Sequence, residues 1–330
     1  MRLTIGKIGK IALLGVLISV SGCVTVNLFP ENKGLVEKDL EPSNAKDKIL
    51  FLSLNGFIGD QAKKGGMPLL GGKKNQVRLM REEFQKASKD KHIRAVVLLV
   101  DSPGGTVTAS DRIYHQIRLY KQRMHVPVIA FFEDLGASGA YYAAMGTDEV
   151  WAHPTSVVGS IGVMIANVGV EGLMKKVGVT NRTVASGPEK EMGSPLKEMT
   201  PEDRKIFEGL VQDFYRTFID VVEKNRKIPR KRLIALADGR VYSARQALED
   251  HLVDRIGYRD DLVSHVKKKL GIANVRLVQY RKPGEGASPL FGMTTSGGFD
   301  TFAMAGLASV IRSMGPTPLY LWEPGGLSMK

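Results

Sequence analysis

The spacing of apolar and polar positions changes period several times along this chain. "ILFLSLNG", from Ile49, is a short apolar run closed by Gly56, while "IRAVVLLVD" and "VPVIAFFE" are apolar almost throughout. Between these runs the apolar residues take helical spacing, over about Asn75–Ser88 and about Thr108–Met124. A further helix is predicted from Ser138, and the strand "EVWAH" follows it. Strands that are apolar on successive positions are those covered on both faces, so helices must lie on each side of the sheet. The expected architecture is an α/β layered domain.

Residues 201–270 are predicted to be mostly helical. In "TPEDRKIFEGLVQDFYRTFIDVVEKNRK" Thr200 is placed as N-cap, Pro201 at the first helical position and Asp203 where a capping box has its acid. Ile206, Leu210, Phe214, Phe218 and Val221 keep helical spacing and are expected in the core. From Pro283 the chain becomes rich in Gly and Ser. Its last residues, "PTPLYLWEPGGLSMK", put Tyr320 and Trp322 on a tail expected to be partly disordered or packed on another subunit. No internal repeat is visible, so a single catalytic unit is expected.

The first residues, "MRLTIGKIGKIALLGVLISVSGC", combine the basic Arg2, Lys7 and Lys10 with an apolar run from Ile11 to Val20 that ends in small residues. That is the pattern of an export signal. "VSGC" resembles a bacterial lipobox, in which the signal is cut before a cysteine that is then acylated, and Cys23 is the single cysteine of the 330 residues. The alternative is an uncleaved anchor over Ile11–Phe29. Either tethers the protein to a membrane of the bacterial cell envelope with its catalytic part outside the cytoplasm, and one cysteine excludes an intramolecular disulfide. The expected organisation is a signal peptide over 1–22, a lipidated anchor and linker over 23–48, a catalytic domain over 49–282 and a tail over 283–330.

The formal net charge is +13, with a local peak at "EKNRKIPRKRL", residues 223–233. Export and the lack of any nucleic-acid motif argue against a DNA or RNA partner. Attraction of a tethered domain to anionic lipid is one use for the excess, and a solvated helix face is the other.

Two stretches carry chemistry. In "VVLLVDSPGGTVTASDRI" a buried strand runs into Asp101-Ser102-Pro103-Gly104-Gly105 and then a helix. Glycines there let backbone N–H groups face a cleft, as an oxyanion hole requires, although a plain turn has the same sequence. A phosphate loop is excluded there and at "GGMPLLGGKKN", where Met67 and Lys74 stand at the places of the first Gly and the Ser/Thr. The second stretch is "EDLGASGAYYAAMGTDEV". It sets Ser138 at a strand-to-helix junction, an approximation to a nucleophile elbow that ends in Ala140. Asp148 and His153 follow too closely for a separate triad, so a nucleophilic serine here needs another base. A lysine can serve if its site is dry enough to keep it neutral. Lys190, in "VASGPEKEMGSPLKEMT", can face a cleft while Glu189 and Glu191 face solvent if that segment is extended.

These residues resemble the signal peptide peptidase A family, serine peptidases with a Ser/Lys dyad on the fold shared by Clp protease and the crotonases. The resemblance runs from about Ile49 to Tyr258 and rests on "DSPGG", "ASGAYYAA", "VGSIGV", "GSPLKEMT" and "GRVYSARQALEDHLVD". It implies a Clp/crotonase-like layered α/β fold with a helical C-terminal part. It also implies Ser138 as nucleophile, Lys190 as general base, Ser160 as the hydroxyl that orients the lysine, and Gly105 and Gly139 as oxyanion N–H donors. Neither cofactor nor metal is called for. Peptide substrates, signal peptides among them, a membrane-lipid anchor and a homo-oligomeric ring with an enclosed chamber are implied, with Ser and Lys drawn from one subunit or from two. His251 departs from the family's glycine at that place, and the lipobox from its commoner membrane-spanning anchor. A crotonase-type acyl-CoA enzyme and an inactive tethered scaffold are the competing readings.

Overall fold

The computed structural model describes residues 34–60, 75–282 and 318–322, and Leu35 onward forms one compact unit. In chain order the elements begin with β1 (Val36–Asp39), β2 (Lys48–Asn55), α1 (Gln76–Ala87), β3 (Ile93–Ser102), β4 (Gly104–Thr106), α2 (Val107–Met124) and β5 (Val128–Ala137). There follow α3 (Gly139–Ala144), β6 (Glu149–Ala152), β7 (Val157–Gly159), β8 (Met164–Ile165), α4 (Glu171–Lys176) and a 3-10 turn, Pro188–Glu191. The helical part holds α5 (Pro201–Arg226), α6 (Arg230–Leu236), β9 (Val241–Ser243), α7 (Ala244–Glu249), β10 (Arg255–Ile256) and α8 (Arg259–Leu270), and β11 (Arg276–Arg281) and β12 (Pro318–Leu321) close the series.

The main sheet runs β1-β11-β2-β3-β5-β6-β10, parallel from β11 to β10 with β1 antiparallel at its edge. The apolar runs sit in its centre for the reason their composition suggests. Leu50, Leu52 and Leu54 of β2 and Val96, Leu98 and Val100 of β3 pack into the core on one face. Their alternates Ile49, Phe51, Ala95, Val97 and Leu99 pack on the other with Leu262 and Val266 of α8. This is the α/β layered arrangement expected from the pattern. β1 forms within the polar stretch read as a linker, because Val36–Asp39 pairs with Val278–Arg281 and its acids meet Arg276 and Lys48.

The register of β3 against β5 slips between Val100 and Ser102, and past that point β5 changes partners. Ile129–Phe132 pairs with β6, whereas Leu135–Ala137 pairs with Val157–Gly159 of β7. The carboxyl end of β5 therefore leaves the regular sheet just where Ser138 follows, the kind of place where open α/β sheets bind ligands.

In α5 the capping box forms as read: Asp203 N–H donates to Thr200 Oγ1 and Thr200 N–H to Asp203 Oδ2, both at 3.0 Å. The buried stripe differs from the expected one. Phe218 is fully buried, but Phe207, Ile219 and Val222 are the other buried apolar residues, and Leu210 is exposed. The N-terminal half of this 26-residue helix touches the body along a single edge, so spacing alone misplaces the contact.

Candidate active site

Ser138 is held by backbone from both directions. Its N–H donates to the carbonyl of Gly159 at 2.7 Å, and its own carbonyl accepts from Tyr142 N–H in α3. Its backbone lies at φ 53°, ψ −116°, a region that side-chain-bearing residues avoid, as strained nucleophile turns do. The side chain is 1% exposed, and Oγ has no hydrogen-bond partner among the described residues. A buried hydroxyl without a partner is costly, by about 1–3 kcal/mol, and needs a chemical reason.

The small neighbours of Ser138 do not leave it open to solvent; they let other groups approach it. A Cβ on Gly136 would collide with the ring of Phe132, and one on Gly139 with Ser110 Oγ. From that same Gly139 position the backbone N of Gly105 and the carbonyl oxygen of Tyr320 are each 3.1 Å away. Gly104 takes φ 97°, and a Cβ there would stand 2.6 Å from the Gly139 N. Gly104, Gly105 and Gly139 thus bring their backbones together beside Ser138. The first two are fixed by a turn in which Ser102 Oγ donates to Gly56 O and accepts from Gly104 N–H at 3.1 Å. Ile58 N–H donates to Gly104 O and Thr106 N–H to Ile58 O, at 2.8 and 2.9 Å. "DSPGG" is therefore more than a plain turn: it carries one wall of the site.

Ser160 follows Gly159, the residue bonded to Ser138. It is buried at φ 48°, its N–H bonded to Arg240 O at 2.8 Å. Two strained serines thus stand one strand pairing apart. Lys190 is not brought to them within the chain. It lies exposed on the 3-10 turn, and no hydrogen bond joins it to Ser138 Oγ. The expected extended segment is replaced by this turn, in which Lys190 N–H reaches back to Gly187 O, so the flanking glutamates do not share one outward face. Glu189 faces Asp203, and their hydrogen bond raises the Glu189 carboxyl above its ordinary value. Glu191 accepts from Asn181.

Asp148 and His153 make no triad. Asp148 accepts from Val128 N–H and pairs with Lys121, and His153 bonds Thr155. Asp101, behind the glycine turn, has its carboxyl raised by burial and by the nearby charge of Asp134. The basic peak at 223–233 is largely engaged inside the chain. Arg226 pairs with Asp254, Arg230 with Asp220 and Glu223, and Arg232 with Asp250, which favours the solvated-face reading over a free cationic patch. Cys23 and the apolar run before it lie outside the described residues. Among the described residues no helix is long and apolar enough to cross a membrane.

The sequence did not point to the aromatic chamber next to Ser138. Tyr142, four residues on, has its hydroxyl fixed to Asp111 at 2.8 Å and packs edge-on against Phe218. Its second ring neighbour is Tyr320, whose aromatic character in a polar tail was the one available signal.

The sequence profile of peptidase family S49 matches residues 120–273, which include Ser138, Ser160 and Lys190. A protein of Enterococcus faecium that carries the name signal peptide peptidase SppA is 32% identical over 307 residues, 91% of this chain and 88% of that one. A protein of Synechocystis sp. named as a protease is 36% identical over 219 residues, 66% of this chain and 73% of its own. The chloroplastic serine protease SPPA of Arabidopsis thaliana is 29% identical over 259 residues, 77% of this chain but 38% of that longer protein. Likeness over nearly the full length of both chains, on an α/β fold with a strained serine at the end of a central strand, leads to one conclusion: this chain belongs to peptidase family S49, the signal peptide peptidase A family, and is a serine peptidase.

Proposed function

We propose that the protein is a membrane-tethered endopeptidase that degrades released signal peptides and other unfolded apolar peptides through a Ser138/Lys190 dyad. The observation that carries this reading is Ser138 itself: a strained, buried serine whose hydroxyl has no partner and whose neighbours Gly105 and Gly139 are bare backbone. Neutral Lys190 takes the Ser138 proton as Oγ attacks the peptide carbonyl. The N–H groups of Gly105 and Gly139 receive the developing oxyanion, and the lysine returns its proton to the leaving amine. Water then opens the acyl-enzyme. Ser160, anchored beside Ser138, supplies the hydroxyl that orients the lysine.

A lysine is kept neutral only in a dry site, and Lys190 of a single chain is exposed. The base is therefore delivered to Ser138 by a neighbouring copy in a homo-oligomeric ring. Val168, Leu173, Val177, Val179, Val184 and Leu196, exposed along the same segment, are the apolar surface such a neighbour covers. The tether is the basic, apolar stretch ending at Cys23, acylated there.

The test is hydrolysis of a fluorogenic apolar peptide by the full chain between pH 6 and pH 10. Ser138→Ala and Lys190→Ala each abolish activity, and the wild-type rate rises with pH as the base loses its proton. Mixing the two inactive variants under conditions of subunit exchange restores part of the activity, since some sites then pair an intact serine with an intact lysine. Full activity in Lys190→Ala refutes the dyad, and no recovery on mixing, with exchange verified, refutes the shared site.

A further inference from the structure

β12 is the odd element of the fold. It is a four-residue strand, Pro318–Leu321, held antiparallel on both sides, by Gly104–Thr106 of β4 and by Met164–Ile165 of β8. Leu319 faces Thr106, Tyr320 faces Gly105 and Leu321 faces Gly104, and Trp322 N–H then donates to Pro103 O at 2.9 Å. Backbone pairing on two edges with alternate side chains sent into pockets is how an extended peptide is gripped by a protein.

The position of Tyr320 within this slot is that of a residue presented for attack. Its carbonyl oxygen lies against Gly104 and Gly139, the backbone assigned above to the oxyanion. Its side chain is fully buried beside the nucleophile helix. The ring stacks on Tyr142 with centroids 5.1 Å apart at 26° and packs on Phe218 at 4.6 Å, and its hydroxyl donates to Phe214 O at 2.9 Å. Tyr142 is fixed in turn by Asp111, so the pocket wall and Ser138 move as one piece. The strands that grip β12 are themselves three and two residues long, so this small sheet adds little to the fold by itself.

We propose that Pro318–Trp322 is an internal occupant of the peptide groove, and that the Tyr142–Phe218 pocket holding Tyr320 selects substrates with a large aromatic residue on the acyl side of the cleaved bond. The proposal rests on the Ser138 reading for which carbonyl is attacked. The occupant competes with substrate, because a tethered segment acts at an effective concentration of order millimolar.

The experiment uses the full chain, wild type and Tyr320→Ala, with two fluorogenic peptides that differ only in Tyr or Ala on the acyl side. Tyr320→Ala is expected to lower KM for the tyrosine peptide by roughly tenfold or more, with kcat little changed. A KM that stays level or rises, in a variant that melts cooperatively, assigns β12 to structure alone and overturns the occupancy. Wild-type enzyme supplies the second arm, which needs no folded variant. The free peptide Pro-Leu-Tyr-Leu-Trp inhibits competitively, at least about tenfold more tightly than Pro-Leu-Ala-Leu-Trp, which corresponds to ~1.4 kcal/mol. Equal inhibition by the two peptides, or none by either, overturns the pocket assignment. The same competition, read as binding of fluorescent Pro-Leu-Tyr-Leu-Trp to Ser138→Ala, separates this proposal from the catalytic one. A preference for tyrosine that survives there, while Ser138→Ala still hydrolyses peptides, sinks the Ser138 reading and leaves the pocket standing.

Discussion

Backbone strain at Ser138 predicts an unusual sign for a simple pair of substitutions. Ser138→Ala and Ser138→Gly both remove the hydroxyl, so any contact that Oγ makes in the assembled enzyme cancels between them. They differ in the Cβ, which at φ 53°, ψ −116° sits in a disfavoured region. Relief of that strain is worth about 1–3 kcal/mol. Glycine's greater freedom in the unfolded chain takes back about 0.5–1 kcal/mol. The glycine variant should therefore be the more stable by about 1 kcal/mol, which for a domain of this size raises Tm by roughly 2–4 °C. At an ordinary helical position the order reverses: Ala144→Gly, in α3, should lower stability by about 1 kcal/mol or more. Thermal and urea unfolding of the full-chain variants measure both differences, and loss of peptide hydrolysis in both Ser138 variants confirms that the strain serves catalysis. A glycine variant that melts at or below the alanine variant would show that Ser138 carries no strain, and the nucleophile-turn argument would lose its geometric basis.

Three further outcomes follow from the same structure. His251 takes φ 58° just past α7, so His251→Gly should stabilise by a few tenths to about 1 kcal/mol, read as a higher urea midpoint, and a lower midpoint refutes the assignment. Gly105→Ala drives a Cβ into the Ile58 carbonyl, so hydrolysis should fall at least about a hundredfold even in protein that remains folded; near-normal kcat would remove Gly105 from the site. Burial alone would raise the Glu149 carboxyl, yet hydrogen bonds from Lys269, Trp151 and His265 hold it down to about 2. A depressed carboxyl stabilises the fold above its ordinary value of 4.5 and loses that contribution as pH falls toward about 2. The stability gap between wild type and Glu149→Gln, measured by urea unfolding, should therefore shrink across that window, and a gap constant with pH refutes the ion-pair account.

Local order was legible wherever one segment carries its own physical reason. The runs in β3 and β5 could only be strands covered on both faces, and Thr200, Pro201 and Asp203 could only open a helix, because apolar periodicity and capping are short-range effects. Ser138 at the end of a buried strand was likewise a local inference, and the strain it bears agrees with it. Tertiary structure alone decided that β5 trades β6 for β7 before the serine, that Glu189 turns to Asp203, and that Leu210 stays exposed while Phe207 is buried. It also decided that Tyr320, remote in sequence from residue 138, lies against Gly139 and Tyr142. Elements of two to four residues such as β4, β8 and β12 are too short to show a period of their own; their conformation comes from the partners that happen to lie beside them, and that pairing is a property of the folded chain rather than of any stretch of it.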